Sequence, residues 1–191
     1  MHTPKKAAQR TQYLTFFLGG EELALNVLRV KEIIEYDTLT KLPTAPPSIR
    51  GVINLRGSVV PVVDLAFKLG FAETRITKRT CIVMVEVELA GEEAIMGLMT
   101  DSVNQVIDFL PEDIEKPPLF GTSIQGSYLK GMGKAGKKFV LILDIDRLLS
   151  EDELLTGAVP SLIAAKPATD TETGSSVASE EKVEIVGCPG T

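Results

Sequence analysis

The sequence predicts an all-β protein made of two small barrels. Three observations support this prediction: short Val, Ile and Leu runs bounded by glycine and proline, almost no long helical periodicity, and an internal repeat. The chain has 191 residues, enough for one ordinary domain or two very small ones. Each repeat unit has about five predicted strands, which favours a closed or nearly closed barrel. A few short helices complete the predicted fold.

The first unit is predicted over residues 12–72. Tyr13–Leu18 and Glu22–Leu25 are predicted strands joined by a glycine turn. Asn26 is predicted to cap a short helical turn, after which the chain is extended around Ile33–Tyr36. The prolines that follow cannot lie in a central strand, so they mark a loop.

The segment RGVINLRGSVVPVVDL, residues 50–65, is a predicted β-hairpin. An apolar strand leads into Asn54–Gly57 and a β-branched strand follows, so we expect a four-residue turn. Arg56 would then be a cation held at the tip of a rigid hairpin, where simple solvation is the commonest role. Asp64 and the residues up to Gly70 have the spacing of one or two helical turns.

The second unit is predicted over residues 79–150, because it repeats the first. LGGEELAL in the first unit has a counterpart in LAGEEAIM. Three dipeptides of the hairpin region recur 80 residues later: Arg50-Gly51, Val59-Val60 and Asp64-Leu65 match Lys130-Gly131, Phe139-Val140 and Asp144-Ile145. A unit this small buries little apolar area alone, so the two barrels are expected to pack together around a shared groove.

The ends of the chain differ from the two units. Residues 1–11 are predicted to be flexible, and residues 156–191 to form a disordered acidic tail. Residues 151–191 contain eight acidic and two basic side chains, a net charge of −6, whereas residues 1–150 contain eighteen of each. A neutral folded part lacks the basic face that nucleic-acid binding requires. No apolar run reaches the roughly 18–20 residues of a membrane span, and the N-terminus does not resemble a secretory signal, so we predict a cytoplasmic protein.

Catalysis is not expected from this sequence. The only histidine, His2, lies in the N-terminal segment, so no Ser-His or Cys-His pair can assemble in the core. No cofactor or metal site is predicted either. Asp144 and Asp146 lie two residues apart but lack further ligands, and capping of the following short helix is the expected role.

Residues 131–138, GMGKAGKK, carry an alternative hypothesis, that of a nucleotide-dependent enzyme. Gly131, Gly133 and Gly136 match the pattern G-x-G-x-x-G. Such a loop must open a helix, whose N-terminal amides hold the phosphate, but here a strand follows at Phe139. Lys138 stands where magnesium binding needs Ser or Thr. A flexible basic hairpin turn is therefore the favoured prediction.

Surface recognition is the function that remains. Val30 and Val103 occupy equivalent positions in the two repeats and could line the shared groove, although core valines are the commoner case. Glu32 and Arg56 are opposite charges on adjacent elements. An exposed pair of this kind contributes only about 0–1 kcal/mol to stability, but at the rim of a groove it can set how a partner docks.

The hairpin motif also carries a family resemblance. RGVINLRGSVVPVVDL resembles the signature of the CheW-like family, the coupling proteins of bacterial chemotaxis arrays. The similarity extends from about Tyr13 to Leu149, through LRVKEIIEY and FVLILDIDRLL. The resemblance implies two five-stranded barrels of the Src-homology-3 type around a shared hydrophobic groove. It also implies a non-catalytic adaptor that couples chemoreceptors (methyl-accepting chemotaxis proteins) to the histidine kinase CheA, in arrays at the inner face of the membrane.

The resemblance further implies two binding surfaces. The cytoplasmic helical hairpin tip of the receptor would lie in the groove, and the regulatory domain of CheA would dock on another face. Contact with the membrane would be indirect, through receptors. The receptor-side positions are Val30, Glu32, Arg56, Leu98 and Val103, and the kinase-side positions are Leu39, Thr40 and Gly51. A coupling protein of a non-flagellar pathway, controlling pili or development, is the nearer alternative.

Overall fold

The computed structural model describes residues 10–43, 45–89, 91–117 and 124–150. The acidic tail and all but the last two residues of the predicted flexible N-terminus lie outside these ranges. Both predictions about the chain ends therefore stay predictions.

Eleven strands, two short α-helices and three 3-10 turns make up the described part of the chain. The first repeat contains β1 (Thr11–Leu18), β2 (Glu21–Asn26), β3 (Val30–Glu35), β4 (Ile49–Leu55), β5 (Ser58–Asp64) and α1 (Leu65–Lys68). The second contains β6 (Cys81–Leu89), β7 (Glu92–Thr100), β8 (Ser102–Phe109), β9 (Ile114–Glu115), β10 (Leu129–Ala135), β11 (Lys138–Leu143) and α2 (Ile145–Leu148). The 3-10 turns are Val27–Arg29, Pro111–Asp113 and Gly126–Tyr128.

The strands form two sheets. One has the order β3-β6-β7-β5-β4 and the other has the order β8-β1-β2-β11-β10-β9. We call the first the contiguous barrel, because all its strands come from residues 30–100. We call the second the split barrel, because its strands come from both ends of the described chain.

The contiguous barrel is closed by the packing of its two end strands. β3 and β4 lie at opposite ends of the hydrogen-bonded order. Nevertheless, Ile34 of β3 and Ile53 of β4 pack against the same buried cluster. The members of that cluster come from β5, β6 and β7: Val60, Val62, Ile82, Met84 and Met99. A sheet whose two ends share one interior has curled into a barrel.

The split barrel closes in the same way. Phe109 of β8 and Ile114 of β9 come from opposite ends of the sheet and share a cluster with Tyr13. The rings of Tyr13 and Phe109 have centroids 5.6 Å apart. A Cβ atom at Gly133 of β10 would lie 2.4 Å from the Phe109 ring, so only glycine leaves room for that ring.

The main hydrophobic core lies between the two barrels. β6 is buried on both faces: Ile82 and Met84 belong to the interior of the contiguous barrel, while Val83 and Val85 belong to the central layer. β1 of the split barrel contributes Phe16 to the same layer. The two barrels thus share one apolar layer, in agreement with the expectation that such small units must pack together.

The barrels do not follow the repeats, which corrects the assignment of one barrel to residues 12–72 and one to residues 79–150. β5 pairs in parallel with β7, and β11 pairs in parallel with β2. β3 pairs with β6, and β8 pairs with β1. The β1–β2 hairpin of the first repeat therefore belongs to the split barrel, with β8–β11 of the second repeat. The β6–β7 hairpin of the second repeat belongs to the contiguous barrel, with β3–β5 of the first repeat. Because the two hairpins are equivalent, this exchange keeps the same pairing pattern in both barrels.

The local geometry confirms the repeat itself. The strand register shifts between residues 49 and 51, and again between residues 129 and 131. Asp64 caps α1 and Asp144 caps α2, each accepting a hydrogen bond from the backbone N–H three residues further on. The predicted capping role of Asp144 is thus confirmed, and so is that of Asn26, which accepts from the N–H of Leu28 at 2.9 Å.

Candidate functional site

The tip of the first hairpin is a tight two-residue turn. Leu55 pairs with Ser58, so only Arg56 and Gly57 lie outside the strands. Their φ angles are +50° and +86°, positive at both central positions as a type I′ turn requires. The side-chain oxygen of Asn54 accepts a hydrogen bond from the N–H of Gly57 at 2.9 Å. The predicted hairpin is confirmed, but the predicted four-residue turn was too long because the strands pair up to the last residue before the tip.

Arg56 and Glu32 form an ion pair across the seam of the contiguous barrel. Nη2 of Arg56 lies 3.0 Å from Oε1 of Glu32 and joins the hairpin tip to β3. The side chain of Arg56 is 79% exposed and that of Glu32 is 30% exposed. A guanidinium has five N–H donors, so most of them remain available for a partner. The pair predicted from charge alone is therefore present, and its cation faces solvent.

Two substitutions at Arg56 distinguish the contribution of the turn conformation to stability from that of the ion pair. Arg56 is the only non-glycine residue with a positive φ in the described ranges. Asn favours that conformation, so Arg56→Asn should leave the free energy of unfolding unchanged or raise it by about 0.5 kcal/mol. Arg56→Val also removes the cation, but a β-branched residue is strained there and should lower the free energy by about 1–2 kcal/mol.

Urea denaturation of the full chain measures both values. Equal losses in the two variants would contradict this expectation, because the ion pair rather than the turn would then stabilise the hairpin.

The remaining receptor-side positions lie on or under the central layer. Val30 is buried opposite Val85 and belongs to the central cluster, so it is a core valine. Leu98 is fully buried beside Val63 and has no surface to offer a partner in this conformation. Val103 is only partly buried where it packs against the same cluster. Of the three apolar positions, Val103 alone presents an appreciable surface.

The three kinase-side positions form one local cluster. Thr40 and Val52 exchange two backbone hydrogen bonds of 2.9 Å, which lays the loop before β4 along the edge of that strand. A Cβ atom on Gly51 would lie 2.6 Å from the carbonyl oxygen of Thr40, so glycine permits this close approach. Thr40 is exposed, and Leu39 packs against the interior of the contiguous barrel. The structure thus brings these positions together, although they are separated in the sequence.

A buried carboxylate lies beneath this hairpin, and the sequence analysis assigned it only to a helical turn. Asp64 accepts hydrogen bonds from the N–H of Thr74 at 3.2 Å and from its hydroxyl at 3.0 Å. Nη1 of Arg50 lies 3.6 Å from Oδ2 of Asp64 and 2.5 Å from Oε2 of Glu73. The hydrogen bond to Glu73 raises the pKa of Arg50, with burial acting in the opposite direction. A cation and an aspartate recur at the two ends of both hairpin motifs, and this recurrence is the sequence signal that could have indicated the cluster.

The glycine-rich segment is a hairpin turn. Gly136 and Lys137 join β10 to β11, so a strand follows and no helix is present to bind a phosphate. Gly131 lies against Ile114 and the carbonyl oxygen of Glu115, where a Cβ atom would approach to 2.8 Å and 2.9 Å. Close packing therefore accounts for the glycine at this position, as it does at Gly133. The favoured prediction of a basic hairpin turn is confirmed.

The described ranges contain neither a cluster of metal-ligating side chains nor a membrane-spanning helix. No group of three or more His, Cys, Asp or Glu side chains there could hold a metal ion. No helix there is long and apolar enough to cross a membrane.

The fold and these surfaces define a class of protein: a pair of packed β-barrels that presents a cation-tipped hairpin and a loop-covered strand edge, as a binding module does. Residues 12–153 match the family model described as a CheW-like domain, and the chain belongs to that family. The predicted family resemblance is thus confirmed.

Named relatives agree with this assignment. The chain is 33% identical over 143 residues to the chemotaxis protein CheW of Klebsiella aerogenes, covering 75% of this chain and 84% of that protein. It is 30% identical over 146 residues to the protein FrzA of Myxococcus xanthus, covering 75% and 88%. The crystal structure of the scaffolding protein TtCheW from Thermoanaerobacter tengcongensis matches with a TM-score of 0.66 at 30% identity, covering 78% of this chain and 93% of that one. The all-β, two-barrel prediction is confirmed by this likeness together with the two closed sheets.

Proposed function

We propose that this protein is a non-catalytic adaptor that couples chemoreceptors to a histidine kinase of the CheA type. The observation that carries the proposal is the presence of two separate exposed sites on one rigid barrel. One is the hairpin tip with Arg56 and Glu32, and the other is the loop with Leu39 and Thr40 over Gly51. Family membership supports the same function, since relatives are named as chemotaxis and scaffolding proteins.

The receptor side is proposed to be the hairpin tip together with Val103. A helical hairpin presents apolar side chains flanked by polar ones, which suits an apolar surface with a charged rim. Arg56 has unused donors for a carboxylate or for carbonyl groups at the end of a receptor helix. Val103 is partly buried and leaves some apolar surface accessible beside the central layer. Val30 and Leu98 are proposed to support this surface from beneath, because they are buried.

The kinase side is proposed to be the strand edge at β4. The backbone bridge between Thr40 and Val52 holds the loop in a fixed position. The side chain of Thr40 is exposed, and Leu39 anchors the loop on the barrel interior. A regulatory domain could therefore dock on a preformed surface, without the entropy loss of ordering a free loop.

Coupling would follow from geometry and not from chemistry. An adaptor that holds receptor and kinase in one arrangement converts a shift of the receptor into a bias between kinase states. In this proposal the protein is cytoplasmic, meets the membrane only through receptors and uses no cofactor. No nucleic-acid partner is proposed. The similarity to FrzA keeps a non-flagellar chemosensory pathway as a second proposal of the same class.

Calorimetric titration of two matched variants tests the proposal. Arg56→Asn removes the cation without straining the turn, and Thr40→Arg changes an exposed side chain while the backbone bridge to Val52 remains. Loss of a hydrogen bond to a charged group is worth about 1.5–3 kcal/mol, so Arg56→Asn should weaken receptor binding by about tenfold to a hundredfold. Thr40→Arg should weaken binding of the kinase regulatory domain and leave receptor binding unchanged.

Three results would contradict the proposal. A folded wild-type protein that binds neither partner would show that the chain is not a coupler of this kind. Loss of both partners in both variants would mean that there is a single shared surface. Kinase binding lost only in Arg56→Asn would reverse the two assignments.

A further inference from the structure

Residues 68–80, which join the two repeats, present a surface that we call the basic loop. The segment contains four cations and one carboxylate: Lys68, Arg75, Lys78, Arg79 and Glu73. Arg75, Lys78 and Arg79 are exposed, and no ion pair within 4.0 Å joins them to a carboxylate of the described residues. Ile76 lies among them and is 51% exposed. The basic loop therefore combines accessible cations with an exposed apolar side chain.

Hydrogen bonds hold the basic loop in place on the contiguous barrel. The N–H of Tyr36 donates to the carbonyl oxygen of Thr80 at 3.0 Å, and the N–H of Thr77 donates to the hydroxyl of Thr80 at 2.8 Å. Further back along the loop, Asp64 accepts hydrogen bonds from the N–H and the hydroxyl of Thr74. A partner would therefore bind a preformed surface, without the entropy loss of ordering a free loop.

Three exposed carboxylates lie near the basic loop. Glu73 pairs with Arg50, outside the loop. Glu35 lies opposite Cys81 in the strand register, and Asp37 accepts a hydrogen bond from the backbone N–H that follows it. Within the described ranges, none of the three forms an ion pair with the exposed cations of the loop. These cations therefore remain accessible to an acidic partner.

The other end of the contiguous barrel presents a surface that we call the acidic tip, residues 86–95 of the β6–β7 hairpin. It contains four glutamates and no cation: Glu86, Glu88, Glu92 and Glu93. Glu88 and Glu93 lie directly opposite each other in the strand register, where like charges destabilise a sheet. Ile95 follows on the same face as Glu93 and is 43% exposed. The acidic tip thus matches the basic loop in charge and in apolar character.

Two cations at this end of the barrel are already paired. Lys31 pairs with Glu86, and Arg56 pairs with Glu32. The other three glutamates of the acidic tip are exposed, and no ion pair within 4.0 Å joins them to a cation in the described part of the chain. A cation supplied by another molecule would offset the repulsion across the hairpin.

One molecule cannot bring its own two surfaces together. Cys81, which follows the basic loop, and Glu88 of the acidic tip are seven residues apart on β6, roughly 23 Å at about 3.3 Å per residue. An ion pair requires the charged atoms to lie within about 4 Å. Residues 1–150 contain equal numbers of acidic and basic side chains, so the folded parts of two copies do not repel each other through net charge. A second copy of the chain can therefore supply the matching surface.

We propose that copies of this chain associate head to tail, with the acidic tip of one contiguous barrel docked on the basic loop of the next. Glutamates of the tip pair with the exposed cations of the loop, and Ile95 of one copy meets Ile76 of the other. Because the two surfaces differ and lie at opposite ends of β6, each added copy presents a new acidic tip or basic loop, so the contact builds a row or a ring. The contact is small and charged, so the association is weak and sensitive to salt. This inference is independent of the proposed coupling function.

Sedimentation velocity of two triple variants of the full chain tests the proposal. The loop variant is Arg75→Gln, Lys78→Gln and Arg79→Gln, and the tip variant is Glu88→Gln, Glu92→Gln and Glu93→Gln. All six side chains are exposed, so both variants are expected to fold. The control is Lys134→Gln, Lys137→Gln and Lys138→Gln, which removes the same charge as the loop variant from exposed positions of the split barrel.

The wild type should sediment faster as its concentration rises, beyond the value for a dimer, at about 10 mM salt, where charges act over about 30 Å. It should sediment as a monomer at about 1 M salt, where charges act over about 3 Å. The loop variant and the tip variant should each be monomeric alone. Their equimolar mixture should form dimers and nothing larger, because the loop variant keeps its acidic tip and the tip variant keeps its basic loop. The control should associate as the wild type does.

Four results would overturn the proposal. A wild type that stays monomeric at low salt would show that the two surfaces do not bind each other. Association lost in the loop variant but kept in the tip variant would place a different acidic segment on the loop. A mixture of the two variants that stays monomeric would exclude a head-to-tail contact. Equal loss in the control would indicate a general effect of net charge.

Discussion

A fragment of residues 10–76 is expected to be unfolded as a monomer, and so is its complement, residues 77–150. Each fragment contains one whole repeat, but it lacks the hairpin that completes its barrel. Residues 10–76 keep β3, β4 and β5 while losing β6 and β7, which supply Ile82, Met84 and Met99 to the barrel interior. The β4–β5 hairpin left behind would be marginally stable in water at best, and β3 would have no partner.

Mixing the two fragments should restore the fold, because both barrels can then be completed across the cut. The measurements are circular dichroism and amide dispersion of each fragment alone and of the mixture, with size-exclusion chromatography to detect self-association. The intact chain is the control. A folded monomer of residues 10–76 alone would show that one repeat can form a barrel by itself, in conflict with the exchange of hairpins.

Asp64→Ala is expected to lower the free energy of unfolding by about 3 kcal/mol or more, since buried donors without acceptors cost about 1–3 kcal/mol each. The carboxylate is 1% exposed and accepts from the N–H of Phe67 as well as from the N–H and hydroxyl of Thr74. Removing it leaves these donors without a partner and takes away the cap of α1. Arg50 keeps its contact with Glu73, so the loss should come mainly from the buried donors.

The repeat offers a matched control for this substitution. Asp144 occupies the equivalent position, but its side chain is 25% exposed and its side-chain partners within the described ranges are the N–H and guanidinium of Arg147. Asp144→Ala should therefore cost only about 1 kcal/mol, the usual value of a helix cap. Urea denaturation of both full-length variants measures the free energy of unfolding that each substitution removes. Equal losses would mean that both residues act only as caps and that burial of Asp64 adds nothing.

The part of the candidate site that depends on charges on neighbouring elements was predictable from the sequence. The pair between Glu32 and Arg56 followed from opposite charges on neighbouring elements, and the structure contains it at 3.0 Å. Leu98 was placed on the receptor side, yet it is fully buried. Strand alternation assigns side chains to two faces, but in β7 one face lines the barrel and the other meets the second barrel. When both faces of a strand are apolar and buried, the alternation in its sequence does not show which face lies nearer the surface.

The sequence by itself determined the strands, the two hairpins, the caps at Asn26 and Asp144 and the internal repeat. The strands, hairpins and caps each depend on residues within a few positions of one another, so local periodicity and turn preferences are sufficient. The repeat follows from comparing two such stretches of the chain. Only the tertiary structure decided that residues 12–72 and 79–150 exchange their first hairpins. Because the repeats are alike, each donated hairpin can pair with either copy, and local patterns do not distinguish the two arrangements. The choice depends on long-range contacts between the repeats, such as the shared apolar layer of β1 and β6 and the contact of Tyr13 with Phe109.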